Sequence, residues 1–397
     1  MRFLVVIIAL AAYTPCASAV EIATGSMLGL RYKSDQFYVR STPRGKWKRT
    51  YDQKPYRKEA RGKLMALRLA QGIFRDEWLT ERPFDPEANT RSLIEELDLY
   101  KRHGVLGLSV SLQGEDPAYQ EQTAGVTRLD GAVLGKSAGT LVSAFQPDGS
   151  LKNDWMERLE TLLRAADERG LIVVVIYFYQ GQDEVFEDQQ AILNAARNAT
   201  QWLIEKDFRN VIIDVADAWD VEMGDWDHGR FISRNVASLI QYVREQFNDA
   251  AYLLPIGASS GDGMSYPSSL AQVSDVVLLH GNEQSAGEKL ARLREYQDYG
   301  RPVLIVDDDN GRSSRSADLA RERASADAVF RSGAGWSYTP WGSAQRFPFT
   351  YQPAETSAFE DGEPLAQRET AYFRAILEHI ARLTLRKPPT TQPGKKK

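Results

Sequence analysis

From residue 64 onward, short β-branched or apolar runs alternate with amphipathic helical patterns, and this alternation constrains the fold more than any other feature. Eight runs read as strands: 64–74, 104–112, 171–179, 210–217, 251–258, 274–281, 302–307 and 333–338. Between them the apolar residues recur at helical spacing. Over 150–167 the stripe is Leu151, Trp155, Leu159, Leu162, Leu163 and Ala166, and 191–204, 231–247 and 372–383 repeat it. Strands joined through helices lie parallel, and eight such units close a sheet into a (β/α)8 barrel, an α/β fold. A doubly wound sheet is the competing architecture. It would place a glycine-rich turn after its first strand, where this chain has Phe74-Arg75-Asp76-Glu77. The 397 residues would ordinarily suggest two or three domains, but a barrel of ~250 residues or more folds as one unit.

With 43% hydrophobic and 26% charged residues the chain is neither disordered, collagen-like nor a multi-pass membrane protein. Met1-Arg2, an apolar run over 3–12 and the small-x-small triplet Ala17-Ser18-Ala19 read as a signal peptide cut after Ala19, which predicts export to the periplasm or beyond the cell. The apolar run is too short to span a bilayer, which takes ~20 residues, so no transmembrane segment is expected after cleavage. Cys16, the only cysteine, lies inside this segment, and Tyr13-Thr14-Pro15 before it are poor context for lipid attachment. Disulfides, thiolate metal sites and thiol nucleophiles are thereby excluded from the mature chain.

The formal charge of −5 conceals an asymmetry. Residues 31–63 hold twelve Lys or Arg against three Asp or Glu, so the remainder of the mature chain carries about fifteen net negative charges. Tyr32, Phe37, Tyr38, Trp47, Tyr51 and Tyr56 lie among these cations. Such a segment either grips an anionic envelope polymer or forms a solvated hairpin whose aromatics pack on the barrel. The organisation expected is a signal peptide at 1–19, a basic aromatic arm at 20–63, a barrel at 64–386 and a disordered Lys/Pro-rich tail at 387–397.

Barrel chemistry sits after the carboxyl ends of the strands. There the sequence places Asp76 and Glu77; Gln113, Glu115 and Asp116; Tyr179 to Asp183; Asp217-Ala218-Trp219-Asp220; Ser259 and Ser260; His280-Gly281-Asn282-Glu283; Asp307 to Asn310; and Trp336-Ser337-Tyr338. Acids and amides bond sugar hydroxyls, and aromatic faces stack on pyranose rings. Asp307 to Gly311 suggests a calcium loop, but Val306 would fall on the first ligand and Ala317 on the terminal glutamate, so the pattern fails. No His-Glu-x-x-His, phosphate loop or Gly-x-Ser-x-Gly elbow occurs, and the four histidines are scattered; neither cofactor nor metal site nor nucleic-acid partner is expected.

Asp148-Gly149-Ser150-Leu151, Trp155-Met156, Arg158-Leu159, Ala165-Ala166-Asp167 and Gly170 to Val174, continued by Asn198-Ala199 and Phe208 to Val215, resemble clan-A glycoside hydrolases, especially the cellulase-like family 5. His280, Pro302 to Val306 and Gly335-Trp336 extend the likeness, which covers residues 64–340. The resemblance implies a TIM barrel that retains anomeric configuration with two glutamates, an acid/base after strand four and a nucleophile after strand seven, ~5 Å apart. Here the first pair falls on Asp217-Ala218 and the second glutamate on Asp307 or Asp308, so the chain departs at both positions. An aspartate at strand seven keeps a carboxylate; an alanine donates no proton, and general acid help is worth about 10²–10⁴ in rate. If the chain is catalytic, Asp307 or Asp308 is nucleophile or base and Asp217 or Asp220 the acid. Trp336, Tyr338, His280, Tyr179, Gln113, Asn282 and Trp219 would then position a poly- or oligosaccharide, with Trp336 as a stacking platform. The alternative is a glycan-binding or scaffold protein that has kept the groove and lost the acid.

Overall fold

The structure, a computed structural model, describes residues 20–41, 44–75, 84–114, 142–221, 226–261, 263–282, 284–308 and 316–389. The segment 1–19 expected to be a signal peptide, Asp76, Glu77, Glu115, Asp116, Glu283, Asp309 to Gly311 and most of the tail lie outside the described residues.

The chain opens with an antiparallel sheet of β1 (Glu21–Thr24), β2 (Phe37–Arg40) and β3 (Lys48–Arg49). The alternating part follows: β4 (Met65–Arg68), α1 (Pro86–Arg102), β5 (Gly107–Ser111), α2 (Asn153–Glu168), β6 (Ile172–Tyr179), α3 (Gln189–Glu205), β7 (Val211–Asp217), α4 (Val236–Glu245), β8 (Ile256–Gly257) and β9 (Ser259–Ser260). It continues through α5 (Ser268–Val273), β10 (Val277–His280), α6 (Ala286–Glu295), β11 (Val303–Asp307), α7 (Ser316–Ser332), β12 (Gly335–Tyr338) and α8 (Leu365–Thr384). Each of the eight expected strand runs contains a strand, though most are trimmed. The first stops at Arg68 because residues 70–73 coil into a 3-10 turn.

The parallel sheet runs β8-β7-β6-β5-β4-β12-β11-β10-β9. Its two ends, β8 and β9, flank Ala258 in one stretch of chain, so the sheet closes on itself as a (β/α)8 barrel whose fifth strand is interrupted. The interruption has a local cause. Asp214, on the barrel-interior face of β7, accepts the Ser259 N–H at 2.9 Å through Oδ1, taking a bond that the strand ladder would otherwise make. Helix starts are written in the sequence. Asp85 and Asp188 cap the backbone of Ala88 and Ala191, and Ser285 with Glu288 forms a reciprocal capping box before α6.

The basic segment is neither a free arm nor a simple hairpin. Val20, Ile22 and Phe37 belong to one apolar cluster with Leu64, Ile172, Val174, Ile212, Val276, Leu278, Leu304 and Val306 of the barrel interior, so the small sheet forms the barrel's floor. Backbone and side-chain bonds weld it there: Ile22 N–H to the Arg209 carbonyl at 3.0 Å, Arg209 to Glu21 at 3.5 Å, and the Tyr51 hydroxyl to the Gly104 carbonyl at 2.8 Å. Tyr38, Tyr51 and Tyr56 are buried with Phe37, whereas Tyr32 is exposed. Truncating Phe37 to alanine is expected to destabilise the whole barrel by about 3–5 kcal/mol. Urea unfolding followed by tryptophan fluorescence measures this, and an unchanged midpoint would show that the floor is not part of the core.

Candidate functional site

The site begins with an arginine inside a strand. Along β4 the interior-facing residues are Leu64, Ala66 and Arg68, and the last reaches the carboxyl end of the barrel with a side chain only 1% exposed. A buried guanidinium requires carboxylates. Asp217, at the end of β7, supplies the first: Arg68 Nη1 and Nη2 donate to its two oxygens at 3.1 Å each, a forked pair. Asp307, at the end of β11, supplies the second, 3.8 Å from Arg68 Nε. His280 bridges the two, with Nε2 3.1 Å from Asp217 Oδ1 and Nδ1 3.8 Å from Asp307 Oδ2. Ser259 Oγ donates to Asp217 at 3.2 Å, Asn282 Nδ2 to Asp307 at 3.0 Å, and the Thr339 hydroxyl to the other Asp307 oxygen.

A β-bulge decides which strand-seven aspartate joins this network. Between β10 and β11 the register steps from Leu279↔Ile305 to His280↔Asp307, leaving Val306 as the extra residue. The bulge turns Asp307 inward beside His280. Asp308 consequently faces away from the barrel axis, fully buried against Lys289 Nζ at 2.6 Å, Ser325 Oγ at 3.1 Å and Trp336 Nε1 at 2.6 Å. The structure therefore removes Asp308 from the site.

Electrostatics sort the remaining acids. Burial pushes the Asp217 carboxyl up, but Arg68 and His280 more than reverse this and hold it well below the ordinary carboxylate range. Asp307 is lowered in the same way, Arg68 and His280 outweighing desolvation. Burial opposes the charge on His280, yet Asp217 and Asp307 raise it to about 9, so the imidazole is cationic at neutral pH. Asp214, one turn of the ladder deeper, is raised to about 7 by burial and by the charge of Asp217. Two cations and two anions thus interleave at the barrel mouth. Asp307 is the carboxylate within it that solvent reaches, with a side chain 15% exposed.

An ionised Asp217 bound by three donors has no proton to give. The residue after it is Ala218, buried and at φ 48°, a left-handed conformation that alanine adopts only under strain. Asp220 stands half-buried beyond it, accepting the Gly261 N–H.

Other expected site residues are placed differently from the sequence reading. Trp336 points outward from β12, fully buried with its indole bound to Asp308, so no face remains for a sugar. Tyr338, on the same outward side, is buried against Tyr372 and Phe373. Gln113 is fully buried and ties loops together through Ser143 Oγ, the Gln182 carbonyl and the Tyr179 N–H, which makes it a support of the rim and not a sugar contact. Tyr179, Trp219 and Asn282 remain half-buried near the strand ends. Arg68 and Thr339 belong to this network, and the sequence reading passes over them. A charge closing the apolar run Met65 to Leu67 was the available signal for Arg68; nothing marked Thr339.

Asp183, Glu184 and Asp227 bring one oxygen each within 4.8 Å of one another, the arrangement among the described residues able to hold a cation. Burial raises Asp183 to about 6 and Glu184 to about 8, so Glu184 keeps its proton near neutral pH.

No protein-family model matches the sequence and no curated protein matches it. Solved structures with a similar fold are clan-A glycoside hydrolases. A broad-specificity endoglucanase from Clostridium longisporum aligns at 11% identity and TM-score 0.49, over 81% of this chain and 95% of its own. A β-glycosidase from Thermosphaera aggregans aligns at 11% identity and TM-score 0.48, over 83% and 97%. An exo-β-1,4-mannosidase from an Opitutaceae bacterium aligns at 16% identity and TM-score 0.48, over 83% and 63%.

Two expectations follow for stability. Removing the guanidinium with Arg68→Met leaves two buried carboxylates with His280 as their one remaining cation, which should cost about 3–5 kcal/mol; chemical denaturation measures it, and a neutral result would contradict the network. The lowered carboxylates stabilise the fold fully above about pH 4 and lose that contribution as pH falls. His280, raised to about 9, stabilises fully below about pH 6.5 and loses its contribution as pH rises toward 9. The melting temperature should therefore decline over that alkaline interval, and His280→Asn should flatten the decline. A wild-type curve level through the interval would contradict a cationic His280.

Proposed function

We propose that this is an exported protein that binds a poly- or oligosaccharide across the barrel mouth and has lost two-carboxylate hydrolysis. The observation that carries this reading is the Arg68–Asp217–His280 network followed by Ala218: the family's acid position ends in a locked carboxylate and a methyl group. Asp307 and Asn282 supply acceptors and donors for sugar hydroxyls, and Tyr179 and Trp219 supply aromatic surface beside them. Residues 1–19 direct export. The basic segment 31–63 meets an anionic polymer by virtue of its charge.

A second reading, a weakened glycoside hydrolase, is favoured by one observation: Asp307 is ionised and open to solvent, and Asp220 stands half-buried on the strand-four side. A glycan array and a panel of chromogenic aryl glycosides, run with the mature protein and its Asp307→Ala variant, separate the two. Binding without chromophore release, weakened about tenfold or more by the substitution, is the expected outcome. Hydrolysis by the wild type that Asp307→Ala abolishes would establish the hydrolase instead, and absence of binding to any glycan would overturn both.

A further inference from the structure

The floor of the barrel, opposite the mouth, carries a concavity of about 620 Å³ between β2–β3 and the loops that precede β5 and β6. Its cations divide into two sets. Arg40 is bound to Glu21 at 2.7 Å and lies over the Trp47 ring at 4.6 Å, Arg169 pairs with Asp98 at 3.3 Å, and Lys101 donates to the Arg169 carbonyl. Lys46, Lys48 and Arg49 make no ion pair among the described residues, and the two lysines are exposed. Three cations without an ion pair among the described residues thus line one concavity, in a chain whose other residues are net negative.

We infer that this floor concavity binds an acidic polysaccharide, one whose carboxylate or phosphate groups are spaced by neutral sugar. The inference rests on the reading of segment 31–63 as an anion-binding region and narrows it to a place and a chemical class. The volume falls within the range of ordinary ligand pockets and accommodates a short stretch of sugar. Asp52, Asp167 and Glu168 also line the concavity. Interspersed acids repel a polymer with closely spaced phosphates, and duplex DNA carries a charge every ~1.7 Å. A glycan avoids that penalty: its sparse anions face Lys46, Lys48 and Arg49, and its hydroxyls donate to the carboxylates.

The barrel mouth and the floor would then hold two glycan segments at opposite poles, one read by hydrogen bonds and the other by charge. Binding of labelled hyaluronan oligosaccharides, in which every carboxylated sugar is followed by a neutral one, of their methyl-esterified counterparts and of a DNA duplex to the full mature chain tests this. The Lys46→Gln/Lys48→Gln/Arg49→Gln variant is run in parallel, with melting temperature as the check on folding and Lys46→Gln alone as a milder substitution in an exposed turn. The expected result is salt-sensitive binding of the acidic oligosaccharide but not of its ester, about tenfold weaker in the triple variant and partly weakened by Lys46→Gln. Polyanion binding that neither variant changes would overturn the assignment to this concavity while leaving the anion-binding role of segment 31–63 in place. DNA bound as tightly as the oligosaccharide would overturn the chemical class, and no binding of any polyanion would overturn both readings.

Discussion

The forked pair between Arg68 and Asp217 is the interaction on which the upper half of the barrel depends. An unpaired charge at that depth would cost several kcal/mol, so the guanidinium can be there only because β4 and β7 deliver it and the carboxylate to the same place. The pair then dictates what its neighbours are. His280 becomes cationic because it sits between Asp217 and Asp307, and Asp307 is held ionised by the same two cations. Asp214 goes the other way, raised by burial and by the proximity of Asp217, and its structural task is the Ser259 amide that splits the fifth strand. What looks like a collection of acids at a rim is a neutral lattice of alternating charges.

That lattice bears on which carboxylate can carry a proton. Glycoside hydrolysis by two carboxylates needs one of them protonated when substrate arrives. Here Asp217 is the carboxylate most strongly held as an anion, and a strained alanine follows it. The β-bulge at Val306 shows a second level of control, since one inserted residue selects Asp307 for the mouth and consigns Asp308 to a buried pair with Lys289. The floor has its own logic: apolar residues of β1 and β2 seal the barrel from below, and the cations of the same segment face outward.

Much of the fold was legible in sequence because each strand run and each helical stripe satisfies a local period, and closure of eight units follows from the number. The floor was not legible. Ile22 and Phe37 are two apolar residues in a strongly basic segment, and only the open end of a barrel, a tertiary feature, gives them something to cover. In the site, Asp217, His280, Asn282 and Asp307 were readable from their positions after strands. Trp336 and Tyr338 were misassigned because the face of a strand residue depends on register. Gln113 was misassigned because a polar side chain near a rim can serve the loops as readily as a ligand. Arg68 escaped because its meaning lies in a partner 149 positions away.

The central claim is that Asp217 is an anchored anion and not a proton donor. A carboxyl-carbon NMR titration of aspartate-labelled protein, with the Asp217→Asn variant assigning the resonance, measures it directly. The account predicts that Asp217 shows no protonation step above about pH 3, below the ordinary aspartate value. A step for Asp217 between about pH 5 and 7, where a general acid must titrate to act near neutrality, would contradict it.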